Sequence, residues 1–155
     1  MIKVCFVCLG NICRSPMAEF LLKDFVQKKG ESDGFYIVSK ATSAEEEGNP
    51  VYPPARAELK KHGIETGGKR AVRLSQADYE RYDYFLCMEE RNVVNAKRIF
   101  GGDKDGKVKK LLDFAGGGEI ADPWWTGDFS RTYDDISRGI EGFYAFLKKD
   151  FKKTF

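Results

Sequence analysis

The sequence predicts an α/β fold: a parallel sheet covered by helices on both faces. Short apolar runs rich in β-branched and aromatic residues alternate with stretches whose apolar residues recur at helical spacing. The runs are almost continuously apolar, as strands buried on both faces are. The chain has 155 residues, 42% hydrophobic and 32% charged, which suits a single globular domain over 1–155 with one sizeable core.

The elements follow in order. Ile2, Val4, Cys5, Phe6 and Val7 form the first strand. After a loop, Met17, Ala18, Phe20, Leu21, Leu22 and Phe25 recur at helical spacing. Ser15 as N-cap and Pro16 in the first turn start this helix, which runs to about Lys29 and is closed by Gly30. Asp33-Gly34 is a turn, and Phe35 to Lys40 is the second strand. The polar segment to Pro50 is a loop. Pro53-Pro54 opens a helix to about Lys61, ended by His62-Gly63, where a cation suits the helix C-terminus. Ser75 caps a short helix over 76–82. Tyr84 to Met88 is a buried strand, 90–100 a helix, Gly101-Gly102-Asp103 a turn, and Val108 to Phe114 the last strand. Ile136, Ile140, Phe143, Phe146 and Leu147 mark an amphipathic helix over 131–149, after which the tail is expected to fray.

Bulk properties exclude several functions. A net charge of +2 does not suit nucleic-acid binding. No apolar run approaches the length of a membrane span. Met1-Ile2-Lys3 leads directly into a strand, so no signal peptide and a cytoplasmic location are expected. Cys5-x-x-Cys8 has metal-like spacing, but Cys5 lies inside the apolar strand and His62 is the only histidine. No metal or cofactor is therefore expected, and free thiols suit a reducing compartment. Cys5 and Cys87 are read as core filling.

The chemistry concentrates in two stretches. In the first, Cys8-Leu9-Gly10-Asn11-Ile12-Cys13-Arg14-Ser15, a loop leads into a helix N-terminus, so its N–H groups converge on an anion site. Arg14 adds a fork that grips two oxygens of a phosphate. A positive field of this kind favours the thiolate of Cys8, which makes it a nucleophile aimed at phosphorus. Gly10 and Asn11 supply backbone freedom for the turn. The second stretch, Ala121-Asp122-Pro123-Trp124-Trp125, is a rigid Asp-Pro beside two large aromatics. It presents a carboxyl to a leaving group, with Asp128 as the weaker candidate for that role. A leaving-group acid within hydrogen-bond reach contributes about 10²–10⁴-fold.

These residues resemble the low-molecular-weight protein tyrosine phosphatases, whose signature is Cys, five residues, Arg, then Ser or Thr near the N-terminus. The resemblance extends along nearly the whole chain. It includes D-Y-F-L-C-M-E-E at 83–90 and Asp-Pro plus two aromatics at 122–125, usually tyrosines in the family. It implies four strands in flavodoxin-like order, with the phosphate loop between the first strand and the first helix. It further implies hydrolysis of phosphotyrosine in proteins through a cysteinyl-phosphate. Cys8 would be the nucleophile, Arg14 and the loop from Leu9 to Cys13 the phosphate site, and Asp122 the general acid and then base. Ser15 would donate a hydrogen bond to Cys8, while Trp124 and Trp125 would wall the substrate ring. A deep loop with such walls favours phosphotyrosine over the shorter phosphoserine.

Several residues keep two readings. Cys13 either forms a reversible disulfide with Cys8, as the resemblance implies, or simply packs. Ser39 either bonds Asn11 or is a solvated strand-end serine. Glu89 supports Arg14 and the loop, or only opens the next helix. Glu45 falls where many relatives carry an aromatic wall, and this departure bears on substrate preference. A monomer or weak dimer is expected. Three other functions are weighed: an arsenate reductase, which needs further mobile cysteines; a protein-arginine phosphatase, which tends to have Thr where this chain has Ile12; and a non-catalytic phosphate-binding module.

Overall fold

The computed structural model describes residues 1–154, with side chains as far as Lys149. Strands β1 (Ile2–Cys8), β2 (Phe35–Ala41), β3 (Tyr84–Cys87) and β4 (Val108–Lys110) form one sheet. Their order is β2-β1-β3-β4 and every pairing is parallel, in agreement with the expected flavodoxin-like arrangement. The helices are α1 (Arg14–Lys28), α2 (Pro53–Lys61), α3 (Glu90–Phe100), α4 (Pro123–Thr126) and α5 (Phe129–Thr154).

Alternation along β1 divides the core. Val4, Phe6 and Cys8 face a cluster built with Met17, Leu21 and Leu22 of α1 and Ile136, Ile140 and Phe143 of α5. Cys5 and Val7 face the opposite cluster, with Val93, Ala96 and Phe100 of α3 and the rings of Tyr79 and Tyr82. Each buried Val, Leu, Ile, Phe or Met among these contributes about 1.5–3 kcal/mol. Cys5 and Cys87 are fully buried core residues, and burial pushes both thiols up. No described helix is long and apolar enough to cross a membrane.

Five expectations are corrected. Helix α1 begins at Arg14 rather than Pro16, and Ser15 is not its cap, because the hydroxyl is engaged by Cys8 and Asn11. The last strand stops after Lys110, and residues Leu111–Ala115 form a 3-10 turn closed by Gly116 at φ 92°. The segment 76–82 is likewise a 3-10 turn, Gln76–Arg81. Residues Pro123–Thr126, expected as loop, form one helical turn. Helix α5 also continues beyond Lys149 to Thr154. The fraying expected of the tail falls on residues whose side chains, and in the case of Phe155 the whole residue, lie outside the described residues.

The topology creates a crevice. β1 and β3 are neighbours, yet the helices that follow them pack on opposite faces of the sheet. In open parallel sheets, ligands bind beyond the carboxyl ends of strands at such a divergence. Cys8 is the last residue of β1.

Candidate active site

The floor of the site is the turn from Cys8 into α1. Asn11 sits at φ 59°, the only non-glycine residue with positive φ among the described residues. Asparagine tolerates this left-handed geometry, and its side chain anchors the turn. Asn11 Nδ2 donates to Ser15 Oγ at 2.8 Å and to Ser39 Oγ at 2.9 Å, while Oδ1 accepts from the Val72 N–H at 3.0 Å. Cys8 Sγ lies 2.9 Å from Ser15 Oγ and accepts from the Asn11 N–H at 3.3 Å. Ser15 Oγ already accepts from Asn11, so its own proton is available to the sulfur. The sulfur thus lies between two donors, the surroundings that suit an anion.

Arg14 is 2% exposed. Its Nη1 donates to the Ile120 carbonyl at 3.0 Å and lies 3.4 Å from Glu89 Oε2. Its Nη2 lies 3.6 Å from Asp122 Oδ2. The guanidinium is therefore held between a carboxylate at the end of β3 and one from the loop before α4. Removing the partners of a buried charge is costly, so this bracing keeps the fork in one orientation.

Asp122 is the N-cap of α4. Its Oδ1 accepts from the Trp124 N–H at 3.0 Å, which fixes the carboxyl so that Oδ2 faces Arg14. Trp124 leans on the Tyr52 ring at 4.7 Å between centroids, and Tyr52 N donates to the Ile12 carbonyl at 2.9 Å. Trp125 is 81% exposed. Cys13 is buried, and that burial, together with the neighbouring Cys8, pushes its thiol up to about 12.

These groups enclose a cavity of about 290 Å³. Cys8, Leu9, Gly10, Asn11, Ile12, Cys13 and Arg14 line it from the loop after β1, Asp122, Trp124 and Trp125 from the start of α4, and Ser43, Glu45 and Glu46 from the segment after β2. A Cβ at Gly10 would come within 3.3 Å of the Glu46 side chain, a tight contact that Glu46 would have to ease. Ser15, Ser39 and Glu89 do not line the cavity but stand behind it. Ser39 bonds Asn11, so it is not a merely solvated serine. Glu89 is within 3.4 Å of Arg14, and its backbone N–H also bonds Asn92 Oδ1 at the start of α3, so it does more than open that helix. Asp128 is not at the cavity; it accepts from Arg131 N at 3.0 Å in the first turn of α5. His62 stacks on Tyr133 at 3.7 Å, away from the cavity. Among the described residues no cluster of His, Cys, Asp and Glu could hold a metal ion.

Sequence reasoning missed Tyr52, the Ile120 carbonyl and the Val72 N–H. It also missed Glu19, which is 4% exposed and accepts from Ser39 Oγ at 2.6 Å. An acid four residues beyond Ser15, and so on the same face of α1, is the one sequence signal that pointed to it.

The model of the low molecular weight phosphotyrosine protein phosphatase family matches residues 3–153. The low molecular weight protein-tyrosine-phosphatase YfkJ of Bacillus subtilis is 34% identical over 97% of this chain and 98% of its own. Its crystal structure superposes with a TM-score of 0.92 at 33% identity, covering 97% of this chain and 96% of that one. The low molecular weight phosphotyrosine protein phosphatase of Gallus gallus is 37% identical over 95% of this chain and 94% of its own. The crystal structure of a Drosophila arginine phosphatase is also similar, with a TM-score of 0.87 and 29% identity over 95% of this chain and 98% of that one.

Proposed function

This chain belongs to the low molecular weight phosphotyrosine protein phosphatase family, and from that premise we propose that it hydrolyses phosphotyrosine in proteins through a cysteinyl-phosphate on Cys8. The observation that supports this most is the meeting in one cavity of three groups: a sulfur between two donors, a buried guanidinium, and a carboxyl 3.6 Å from that guanidinium.

The steps follow from the chemistry of these groups. The loop N–H groups and the Arg14 fork hold the non-bridging phosphate oxygens, where charge must be met by preorganised donors. Cys8 Sγ bonds to phosphorus as the bond from phosphorus to the tyrosyl oxygen breaks. Asp122 passes its proton to that oxygen, so a neutral phenol leaves. Water then attacks phosphorus and gives a proton to Asp122. The S–P bond breaks and its electron pair returns to Cys8, where the Ser15 hydroxyl donates to the thiolate. Trp124 and Trp125 flank the phenyl ring.

Cys13 is assigned a protective role. Once a peroxide has oxidised Cys8 to the sulfenic acid, the Cys13 thiol displaces water and closes a disulfide that a cellular thiol reopens. The four cysteines are free, and a reactive Cys8 that depends on reduction suits the cytoplasm.

Likeness to an arginine phosphatase favours phosphoarginine as a second substrate. Ile12 on the cavity floor opposes it, because its branched side chain takes room that a guanidinium nitrogen on phosphorus needs. The arsenate reductase reading is weakened by Cys87, which lies fully buried in β3 and offers no mobile relay.

The test is phosphate release from matched phosphotyrosine, phosphoserine and phosphoarginine peptides by the natural protein and by Cys8→Ser. Phosphotyrosine should be turned over fastest, and Cys8→Ser should lose at least about a thousandfold in rate. Retained turnover by Cys8→Ser, or equal rates on the three peptides, would reject the reading.

A further inference from the structure

A second cavity, of about 230 Å³, opens where the segment after β2 reaches Pro50. Arg56 of α2, Lys69 and Arg70 line it, and among the described residues its lining includes no carboxylate. Lys69 is already engaged, by the Ser39 carbonyl at 2.8 Å and by Glu19 at 3.7 Å. The two arginines are not. The Arg56 side chain makes no hydrogen bond or ion pair among the described residues. Arg70 gives one guanidinium donor, Nη1, to the Gly48 carbonyl at 2.9 Å and has no acid beside it. None of the steps above uses either residue.

Neutral donors join these cations. Thr66 is 3% exposed and lines the cavity, yet its hydroxyl makes no hydrogen bond within the described residues. A hydroxyl so nearly buried is costly to leave without a partner. Gly67 and Gly68 form a turn closed by Lys69 N to the Thr66 carbonyl at 3.4 Å, with Gly67 at φ 56°. Both line the cavity, and their N–H groups meet no acceptor among the described residues. Successive free N–H groups of a turn make an anion-binding concavity, and guanidinium forks suit oxyanions. Donors that come from two arginines, a hydroxyl and a turn match a tetrahedral dianion better than a planar carboxylate with two oxygens. The volume is below the roughly 300–1,000 Å³ of sites that enclose a drug-sized ligand, so one oxyanion fits and a whole nucleotide does not.

We propose that this cavity is a second oxyanion site, distinct from the catalytic one, which takes a single phosphate group on Arg56, Arg70, Thr66 and the Gly67–Gly68 turn. The phosphate comes either free from solution or on the substrate chain. Glu46 lines the catalytic cavity and Pro50 the basic one; four residues apart, they are separated by at most about 14 Å. A second phosphorylated residue a few positions from the phosphotyrosine spans that distance. The site itself does not depend on the reading of Cys8 as nucleophile; its use by a substrate chain does.

The test is a titration of the nitrogen-labelled protein with inorganic phosphate, at ionic strength held constant with chloride, read at the backbone amide resonances. Gly67 and Gly68 should shift along a saturation curve of their own, with a dissociation constant different from that read at Gly10 and Asn11. Both arginines are exposed, so the double variant Arg56→Gln/Arg70→Gln should fold. It should abolish the Gly67 and Gly68 shifts and leave those of Gly10 and Asn11, and kcat/KM on p-nitrophenyl phosphate, unchanged. Thr66→Val, which keeps the shape, should weaken binding at the turn by roughly fivefold. No saturable shift at Gly67 and Gly68, a curve shared with Gly10, or shifts that persist in the double variant would overturn the site. The source is read from KM on a phosphotyrosine peptide with and without a phosphoserine about four residues away. A KM lowered at least about tenfold by the second phosphate, and restored in the double variant, assigns it to the substrate chain. Equal KM values, with the glycine shifts intact, assign it to free phosphate. Failure of the catalytic reading shows separately, as turnover retained by Cys8→Ser.

Discussion

One carboxylate, Asp122, does two jobs with its two oxygens. Oδ1 caps the turn that carries Trp124, and Oδ2 faces Arg14. The two jobs can be separated by substitution. Asp122→Asn can still accept from the Trp124 N–H but has no proton to give a leaving group. Asp122→Asn and Asp122→Ala should therefore both lose about 10²–10⁴-fold on a phosphotyrosine peptide. On an aryl phosphate with a good leaving group the loss should be far smaller. Steady-state rates on the two substrates decide the matter: an equal fall on both makes Asp122 a structural cap only. Cys8, Arg14 and Asp122 were legible in the sequence because each belongs to a short local pattern, a loop entering a helix or an Asp-Pro turn. Tyr52 and the Val72 N–H were not. They reach the site because the segment 46–52 folds back through backbone bonds, with Gly48 N to the Ala71 carbonyl and Ala71 N to the Asn49 carbonyl. No spacing in the sequence encodes those pairings.

The elements whose ends carry proline or glycine, α2 and α3, were read to the residue at both ends. The last strand was not, since Val108, Leu111, Leu112 and Phe114 are apolar and no proline or glycine breaks the segment before Gly116. A strand would point Leu111 and Leu112 to opposite faces. The 3-10 turn instead buries both in the cluster shared with α5. Helix α5 meets that turn through two glycines. A Cβ on Gly142 would come within 2.0 Å of the Phe114 carbonyl oxygen, and one on Gly139 within 2.6 Å of Leu111 Cγ. Backbone cannot yield as a side-chain tip can, so Gly142→Ala should force α5 off the turn and cost about 3 kcal/mol, despite the better helix propensity of alanine. A lowered urea midpoint, with kcat unchanged in the protein that remains folded, is the expected result. An unchanged or raised midpoint would mean that α5 slides freely over this turn.

Over the whole molecule, acid sensitivity is set far from the cavity. Burial by itself would raise Asp78, but the Lys40 ammonium at 2.8 Å and the Ser75 N–H at 2.8 Å hold it below the usual carboxylate range. Asp103 is lowered in the same way, against its burial, by the Tyr79 hydroxyl and the Lys107 and Val108 N–H groups. Depressed carboxylates contribute stability above their unfolded value, about pH 4, and that contribution is lost as pH falls through their lower folded values. The urea midpoint should therefore hold steady from about pH 7 to 5 and fall below about pH 4. Asp78→Asn should be less stable at neutral pH, with a deficit that shrinks in acid; a constant deficit would remove Asp78 from the account. The parallel sheet was legible from its alternating runs because the core obeys simple burial, whereas ion pairs such as Lys40–Asp78 join residues with no sequence relation. A final consequence concerns the two indoles. The chain has only two tryptophans, and both stand at the cavity mouth, half or more exposed. Its ultraviolet emission is therefore a built-in optical probe of what enters or leaves that mouth.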